Sequence, residues 1–498
     1  ASRCAWYEGF ANWYKCVVSG DPVYHWASGS SINLETPTWG TANWDNGDLC
    51  EGRVCGAMWD IGDSVADGYD TCQLSWEYIW DTWYGSANRD NTFAQFWTRW
   101  KNRGNPKHHP VKALYQNTID YNTAPTFGGL PDITTPEDTP RYNAVDLWAF
   151  AYDPESSDSE LEYTIVANTN PSCGASISGS GYVNVVPAAD WYGYSDVTIR
   201  CSDGIRDVED TIRVSVTAVN DPPTLSGIPD RVVAVSSSNN NAVDLWLYTT
   251  DVDNSLSSLT YTIVSNTSPQ CGAVIDAFDY IDINPTPGWM GYSDVTVRVT
   301  DPGGLWAEDT FRIVVAHPYG RISQARNNPD DTWVSLTGKV VTGQLASYSY
   351  IEETDRTAGV RIAAVGGFAP GQIVSVSGPL GTNFAERVIT PYYYSITGTT
   401  DPLKPLAMTN DTLGGAAPDA YTPAVPTDGS GAYNVGLLVR TTGRVVSHAS
   451  AGRFFISDGG SIQDNASGQP SVFVQSVPSG WQPPVGSHVT VTGISGAS

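Results

Sequence analysis

Two periodicities divide the chain. Up to about residue 122 the apolar side chains recur at three- and four-residue spacing: Trp6, Phe10, Trp13 and Tyr14, then Val54, Met58, Ile61 and Val65, then Phe93, Phe96, Trp97 and Trp100. That spacing gathers them on one face of a helix, so it predicts a mostly helical unit packed through aromatic rings and joined by Gly/Asn/Asp loops. The stretch LETPTWGTANWDNGD (34–48) has no such period and reads as a long loop. From about residue 123 apolar and polar positions alternate instead, as in DVTIRCSD (196–203) and DTIRVSVTAV (210–219), with turn residues at short intervals. Alternation of this kind predicts strands.

An internal repeat organises the alternating region. NAVDLW at 143–148 returns at 241–246, YTIV at 163–166 returns at 261–264, and GYSDVT at 193–198 returns at 291–296, each at an offset of 98. Units of this length with many short strands predict two tandem β-sandwiches, 123–220 and 221–317, joined by an Asn-Asp-Pro-Pro hinge at 220–223. With AVNDPPT at 218–224, these units resemble the cadherin-like or Ig-like repeats of prokaryotic surface proteins. A weaker repeat follows: LTGKVVT (336–342) and TTGRVVS (441–447) open two segments that later carry GQIVSVSGPL (371–380) and GSHVTVTGIS (486–495). Short strands with Gly at the corners resemble small OB-type barrels. They are placed at 318–396 and 433–498, with a Pro/Gly/Ala/Thr-rich linker at 397–432 and the second barrel open to completion elsewhere. The fold class expected is multidomain and mainly β, with a helical, Trp-rich N-terminal domain over 1–122 that holds 11 of the 18 tryptophans.

Charge sharpens this division. The net charge of −27 resolves into −5 for residues 1–122, −20 for 123–316 (seven basic against 27 acidic side chains) and −2 for 317–498. An acidic chain repels polyanions, so nucleic acid is not an expected partner. No run approaches eighteen consecutive apolar residues, so no transmembrane segment is expected. Six lysines, three methionines and an abundance of Gly, Asn, Ser and Thr point to a secreted or extracellular-surface protein, and a first residue that is Ala1 suggests a processed product or a fragment.

The helical unit carries one enzymatic pattern. CAWYEGFANWYKCVV, CEGRVCGAMWDIGDS and DTFAQFWTRW together resemble the back half of secreted zinc-metallopeptidase-like domains. That resemblance implies Glu8 as the third metal ligand, after two histidines on an upstream H-E-x-x-H helix. The six histidines here are His25, His108, His109, His317, His448 and His488, and no H-E-x-x-H exists. Glu8 is therefore expected to be a vestigial ligand in a retained scaffold, with zinc not expected on this chain and no catalytic residue assigned. His108 and His109 are adjacent, point about 100° apart on a helix, and with Pro110 mark a helix start.

The sandwiches offer the fuller constellation. Asp153-x-Glu155 aligns with Asp251-x-Asp253, Asp203 with Asp301, and Glu209-Asp210 with Glu308-Asp309 one residue later, while Asn220 and Asp221 sit at the hinge. Calcium takes six to eight oxygens at about 2.3–2.6 Å, and D-x-D loops at a module junction supply them. The cadherin-like resemblance implies stiffening calcium there, so Asp153, Glu155, Asp203, Asn220, Asp221, Asp251, Asp253 and Asp301 are the candidate ligands. The repeats are unequal: Glu137-Asp138 becomes Val235-Ser236, and Thr123 stands where Asp221 follows.

Eight cysteines without a C-x-x-C pair suggest disulfides in an oxidising compartment. Cys173 and Cys201 could brace the first sandwich. Their repeat mates are Cys271 and Val299, which leaves Cys271 without a local partner beside the odd set Cys4, Cys16, Cys50, Cys55 and Cys72. Tyr348, Tyr350 and Tyr392 to Tyr394 could stack on glycans or pack a core. The leading expectation is a noncatalytic extracellular structural or adhesive protein, with protein partners or self-association into a surface filament. The alternatives are the C-terminal part of a secreted zinc metallopeptidase whose catalytic helix lies upstream, and a carbohydrate-binding protein.

Overall fold

The structure, a computed structural model, describes residues 2–34, 45–63, 65, 68–85, 90–345, 348–363, 367–383, 386–422, 433–450, 452–459, 472–474 and 481–496. Most of the loop expected over 34–48 lies outside the described residues, as does the end of the 397–432 linker. The chain forms two compact units, 1–219 and 220–498.

Among the described residues the first unit opens with five helices: α1 (Ser2–Ser19), α2 (Glu51–Gly62), α3 (Trp76–Tyr84), α4 (Phe93–Asn102) and α5 (His108–Gln116). Their apolar faces meet in one core that buries Trp6, Trp13, Val54, Met58, Ile61, Phe93, Phe96, Trp97 and Trp100. Phe10 is half-buried against that core and Tyr14 lies outside it. The period through Val65 ends early. Helix α2 stops at Gly62, the chain turns extended at Asp63, and Val65 is exposed. Helices α3 and α4 begin where Ser75 Oγ accepts from Glu77 N (3.3 Å) and Thr92 Oγ1 from Gln95 N (3.2 Å), which satisfies first-turn amides.

This helical layer rests on the first sandwich, and Ile205 of the sandwich packs against the helical core. His108, at the start of α5, is buried with its Nδ1 2.7 Å from Ser156 Oγ. Burial first, and the nearby Lys112 and His109 charges next, push the His108 pKa down from 6.5 to about 4. Between those two values the unfolded chain binds a proton that the folded chain refuses. Stability is therefore complete above about pH 6.5 and declines as pH falls toward 4. Solvent screening reduces the loss to on the order of 2 kcal/mol. Urea midpoints measured across that range should show this slope, and His108→Gln should flatten it; a slope unchanged in the variant would assign it to other groups.

Each sandwich pairs a four-stranded and a three-stranded sheet. In the first, the order is Ile133–Pro136, Asp207–Thr217, Gly193–Ser202, Glu162–Asn168 against Arg141–Asp146, Tyr182–Val185, Ala175–Ile177. The second reproduces it with Arg231–Ala234, Trp306–Tyr319, Gly291–Thr300, Thr260–Asn266 against Asn239–Asp244, Tyr280–Ile283, Ala273–Ile275. The inward members of the alternation fill both cores, Val197, Ile199, Ile212 and Val214 in one, Val295, Val297, Phe311 and Ile313 in the other.

Strand Trp306–Tyr319 leaves the second sandwich without a break and pairs in parallel with Trp333–Leu345 through His317, Pro318 and Tyr319. That partner opens a closed five-stranded barrel: Trp333–Leu345, Tyr348–Glu352, Gly359–Ala363, Glu386–Ile389 and Gln372–Asn383, which returns to the first strand. This is an OB-like ring. The last module places Leu438–Ser450 between Arg453–Ser457 and His488–Ile494, with Val472–Val474 beyond. Among the described residues no pairing closes that second ring.

Candidate functional site

The acidic candidates of the first sandwich gather at its helical end. Asp153, just after the strand Ala151–Tyr152, turns the chain by accepting Glu155 N (2.8 Å) and Ser156 N (2.6 Å) on Oδ1. Asp203 does the same for Ile205 N and Arg206 N (2.7 Å each), and its Oδ2 accepts Asn122 Nδ2 at 2.7 Å. Glu155 Oε2 accepts Thr123 N at 3.2 Å. Asp153, Glu155, Asp203 and Asn122 are all buried, yet Asp153 Oδ2 and Asn122 Oδ1 have no hydrogen-bond partner. Two buried acceptor oxygens left without donors are costly unless a cation or a donor meets them.

The second sandwich repeats the arrangement 98 residues on. Asp251 Oδ1 accepts Asp253 N (2.9 Å) and Asn254 N (2.7 Å), Asp301 Oδ1 accepts Leu305 N (2.8 Å), and Asp301 Oδ2 accepts Asn220 Nδ2 (2.6 Å). Asp253 Oδ2 takes Asp221 N at 2.8 Å. Asp251 Oδ2 is again buried without a partner. Asn122 escaped the sequence reading although its offset of 98 from Asn220 marks it. Within each unit taken alone, no three His, Cys or acidic ligand atoms of the described residues lie within 4.8 Å of one another. The carboxylates spend most of their oxygens on backbone amides, and any cation here draws on Asn and backbone oxygens as well. Glu209 and Glu308 belong elsewhere, paired across strands with Arg200 (2.8 Å) and Arg298 (2.7 Å). Asp210 and Asp309 accept Leu130 N and Ile228 N.

Glu8 is exposed on α1. Its neighbour Gly9 lets α1 touch α2: a Cβ there would lie 2.7 Å from Glu51 O and 2.9 Å from Val54 Cβ. This contact sets Glu8 beside Glu51, and the hydrogen bond between them, with burial and mutual repulsion, raises the Glu51 pKa to about 7. Of the domain's three histidines, His108 is engaged with Ser156 and His109 Nδ1 with Thr71 Oγ1 (2.7 Å), which leaves exposed His25 as a single imidazole and not the pair a zinc site needs. The residues present therefore supply carboxylates but not the imidazoles of a zinc site, and no zinc-dependent step follows from this chain alone.

Cys173 and Cys201, the pair expected to brace the first sandwich, both lie buried in its core as thiols. Cys173 lies 3.6 Å from Asn168 Nδ2, part of a motif in which Asn168 Oδ1 accepts Ser195 Oγ (2.6 Å). Cys271 repeats it with Asn266 (3.5 Å) and Ser293 (2.7 Å), where position 299 offers only Val. Cys173 thus holds a place shared by both repeats, and Cys201 faces Tyr163. The barrel tyrosines disperse. Tyr350 donates to Glu386 Oε2 (2.7 Å), Arg361 lies over Tyr348 (3.9 Å), Tyr392 packs at a tilt against Tyr292 (4.4 Å) and Trp333 (4.9 Å), and Tyr394 packs edge-on to Phe368.

Residues 1–118 match the family model of the mycolysin C-terminal domain. No curated protein matches the chain. Solved structures similar to part of it include human protocadherin-24 EC1-2, at 20% identity and TM-score 0.28 over 39% of this chain and 98% of that one. Human CDH23 EC21-23 is similar at 14% identity and TM-score 0.27, over 54% and 98%. The endo-fucoidan hydrolase MfFcnA4 from glycoside hydrolase family 107 is similar at 18% identity and TM-score 0.18, over 39% of this chain and 28% of that one.

Proposed function

We propose that residues 1–118 form the C-terminal part of the catalytic domain of a secreted metallopeptidase, and that the β-modules from residue 123 onward are its noncatalytic extension. The match of that stretch to the mycolysin C-terminal domain carries this reading, in preference to a purely structural or adhesive protein. Helix α1 supports it by holding Glu8 at the surface, beside Glu51. When bound, zinc supplies a Lewis acid and an activated water. Glu8 is one carboxylate ligand for it, and the imidazoles and the general base come from sequence upstream of Ala1.

The longer gene product tests this. An in-frame H-E-x-x-H before Ala1, hydrolysis of denatured casein by that longer chain, and its loss with a zinc chelator are expected. Glu8→Gln should weaken zinc binding by more than the roughly 10–100-fold lost with outer-shell groups. A secretion signal ending directly at Ala1 would sink the proposal.

A second reading concerns the sandwiches, and the unpartnered oxygens of Asp153 and Asp251, repeated 98 residues apart, favour it. In this reading each sandwich takes a calcium ion at the end bearing these acids, and the ion stiffens the extension.

A further inference from the structure

A small cavity of the second unit lies where the chain entering the last module meets the first barrel. It offers about 10 Å³ to the centre of a water-sized sphere, room for one bound water or one monatomic ion. Val435 and Gly436, just before strand Leu438–Ser450, line it from the last module. The two backbones meet closely there, since a Cβ at Gly359 would lie 2.2 Å from Gly436 O. The charged lining is mostly cationic: Arg326, Arg361 and Arg387 with a single carboxylate, Glu386, and the phenols of Tyr350 and Tyr433.

Two of the three guanidinium groups have counter-charges. Arg361 lies 3.6 Å from Glu386 Oε2, which also accepts the Tyr350 hydroxyl (2.7 Å). Arg387 pairs with Asp330 and donates to Asn328 O (2.5 Å). Arg326, at the end of the short helix Ile322–Arg326, has none. It is 4% exposed, its Nη1 donates to Gly359 O (3.0 Å), its Nε has no acceptor, and among the described residues it makes no ion pair. Asp419 attracts it from farther off but spends its oxygens on Tyr421 N (3.0 Å), Thr422 N (2.7 Å) and Thr422 Oγ1 (3.0 Å). Burial first, and the Arg387 charge after it, push the Arg326 pKa down, yet a guanidinium keeps its proton in a protein. A buried charge in that position is costly unless an anion meets it. Burial also raises the Tyr433 pKa to about 12, so at neutral pH its hydroxyl is a donor and not a second negative charge.

We infer that this cavity holds a monatomic anion, chloride, as the counter-ion of Arg326, and that the ion ties the first barrel to the entry of the last module. Phosphate and sulfate are too large for the space. A water would occupy donors there without cancelling the charge. The inference stands apart from the peptidase reading, since no residue of 1–118 takes part.

The test melts the full chain at neutral pH in ~150 mM sodium chloride and in sodium gluconate of equal ionic strength. Chloride is expected to raise the melting temperature by roughly 3–6 °C, and bromide to do the same. Arg326→Met should lose that response and melt no lower than the parent in gluconate, because it removes the unpaired buried charge. Equal melting of the parent in both salts overturns the inference, as does a chloride gain that Arg326→Met retains. Bromide soaked into crystals of the parent gives a check that needs no variant: an anomalous peak beside Arg326 is expected, and a water there in its place overturns the inference.

Discussion

Replacing Gly174 or Gly272 by alanine should each remove a large part of the stability of its sandwich, while the same change at Gly227 should be mild. Gly174 and Gly272 close the short turns PSCG and PQCG with φ of 67° and 71°, where an L side chain is strained by about 1 kcal/mol or more. Strain is the smaller part. A Cβ at Gly174 would sit 1.6 Å from Val186 O and 2.3 Å from its carbonyl carbon; at Gly272 it would sit 1.8 Å from Asn284 O. Those carbonyls belong to backbone that returns a hydrogen bond to the same turn, Val186 N to Gly174 O (3.1 Å) and Asn284 N to Gly272 O (2.9 Å). No rotamer relieves such a clash, so the turn must leave the sheet beside it and the neighbouring Cys173 or Cys271 must leave the core. Together the losses come to roughly 3–5 kcal/mol, against the 5–15 kcal/mol that folds an ordinary domain. Gly227 has φ of 78° but nothing within 4 Å of a Cβ, so strain alone acts there, about 1 kcal/mol. Urea unfolding of the three variants separates clash from strain, and equal losses at Gly272 and Gly227 would refute the argument.

The same turns show what a single sequence makes legible. A motif that recurs at 98 residues meets one set of contacts twice, so NAVDLW, YTIV and GYSDVT announced both sandwiches before any geometry was known, while the two CG turns show their role only in the structure. Alternation and corner glycines likewise marked the first barrel. Other features depend on spatial neighbours and left no local trace. Pro318 reads as a strand breaker, yet the strand passes through it beside Ser335. The small hairpin Val23–His25 with Ser31–Asn33 is too short for a period to register. Helix α2 ends at Gly62 although Val65 continues its spacing, because periodicity records only which residues could share a face. The site shows the same limit. Acids were visible as D-x-D pairs, but Asn122 became a member only through its bond to Asp203, and Cys173 matched Cys201 by count while its contacts matched Cys271.

Calcium should raise the melting temperature of the chain, and Asp153→Asn and Asp251→Asn should each remove part of the rise. In each sandwich one aspartate oxygen turns the loop and the other is buried without a donor, which is a liability in the absence of a cation and a ligand in its presence. A ligand bound only by the folded state at a hundred times its Kd contributes about 2.7 kcal/mol, which for a unit of this size is a shift of roughly 5–10 °C. The variants discriminate between a metal site and mere turn chemistry. Asparagine keeps the Oδ1 that caps the loop and supplies an amide in place of the lone carboxylate oxygen, so the turn survives while the charge that attracts calcium is lost. If the acids are only caps, Asp153→Asn leaves stability equal or improved in calcium and in chelator alike, because it removes an unpaired buried charge. If they hold calcium, the variant equals or exceeds the parent in chelator and falls below it by several degrees in calcium. Calorimetry of parent and variants in ~5 mM calcium and in chelator decides between these outcomes. It also decides whether the −20 charge of residues 123–316 stiffens the molecule or only keeps it in solution.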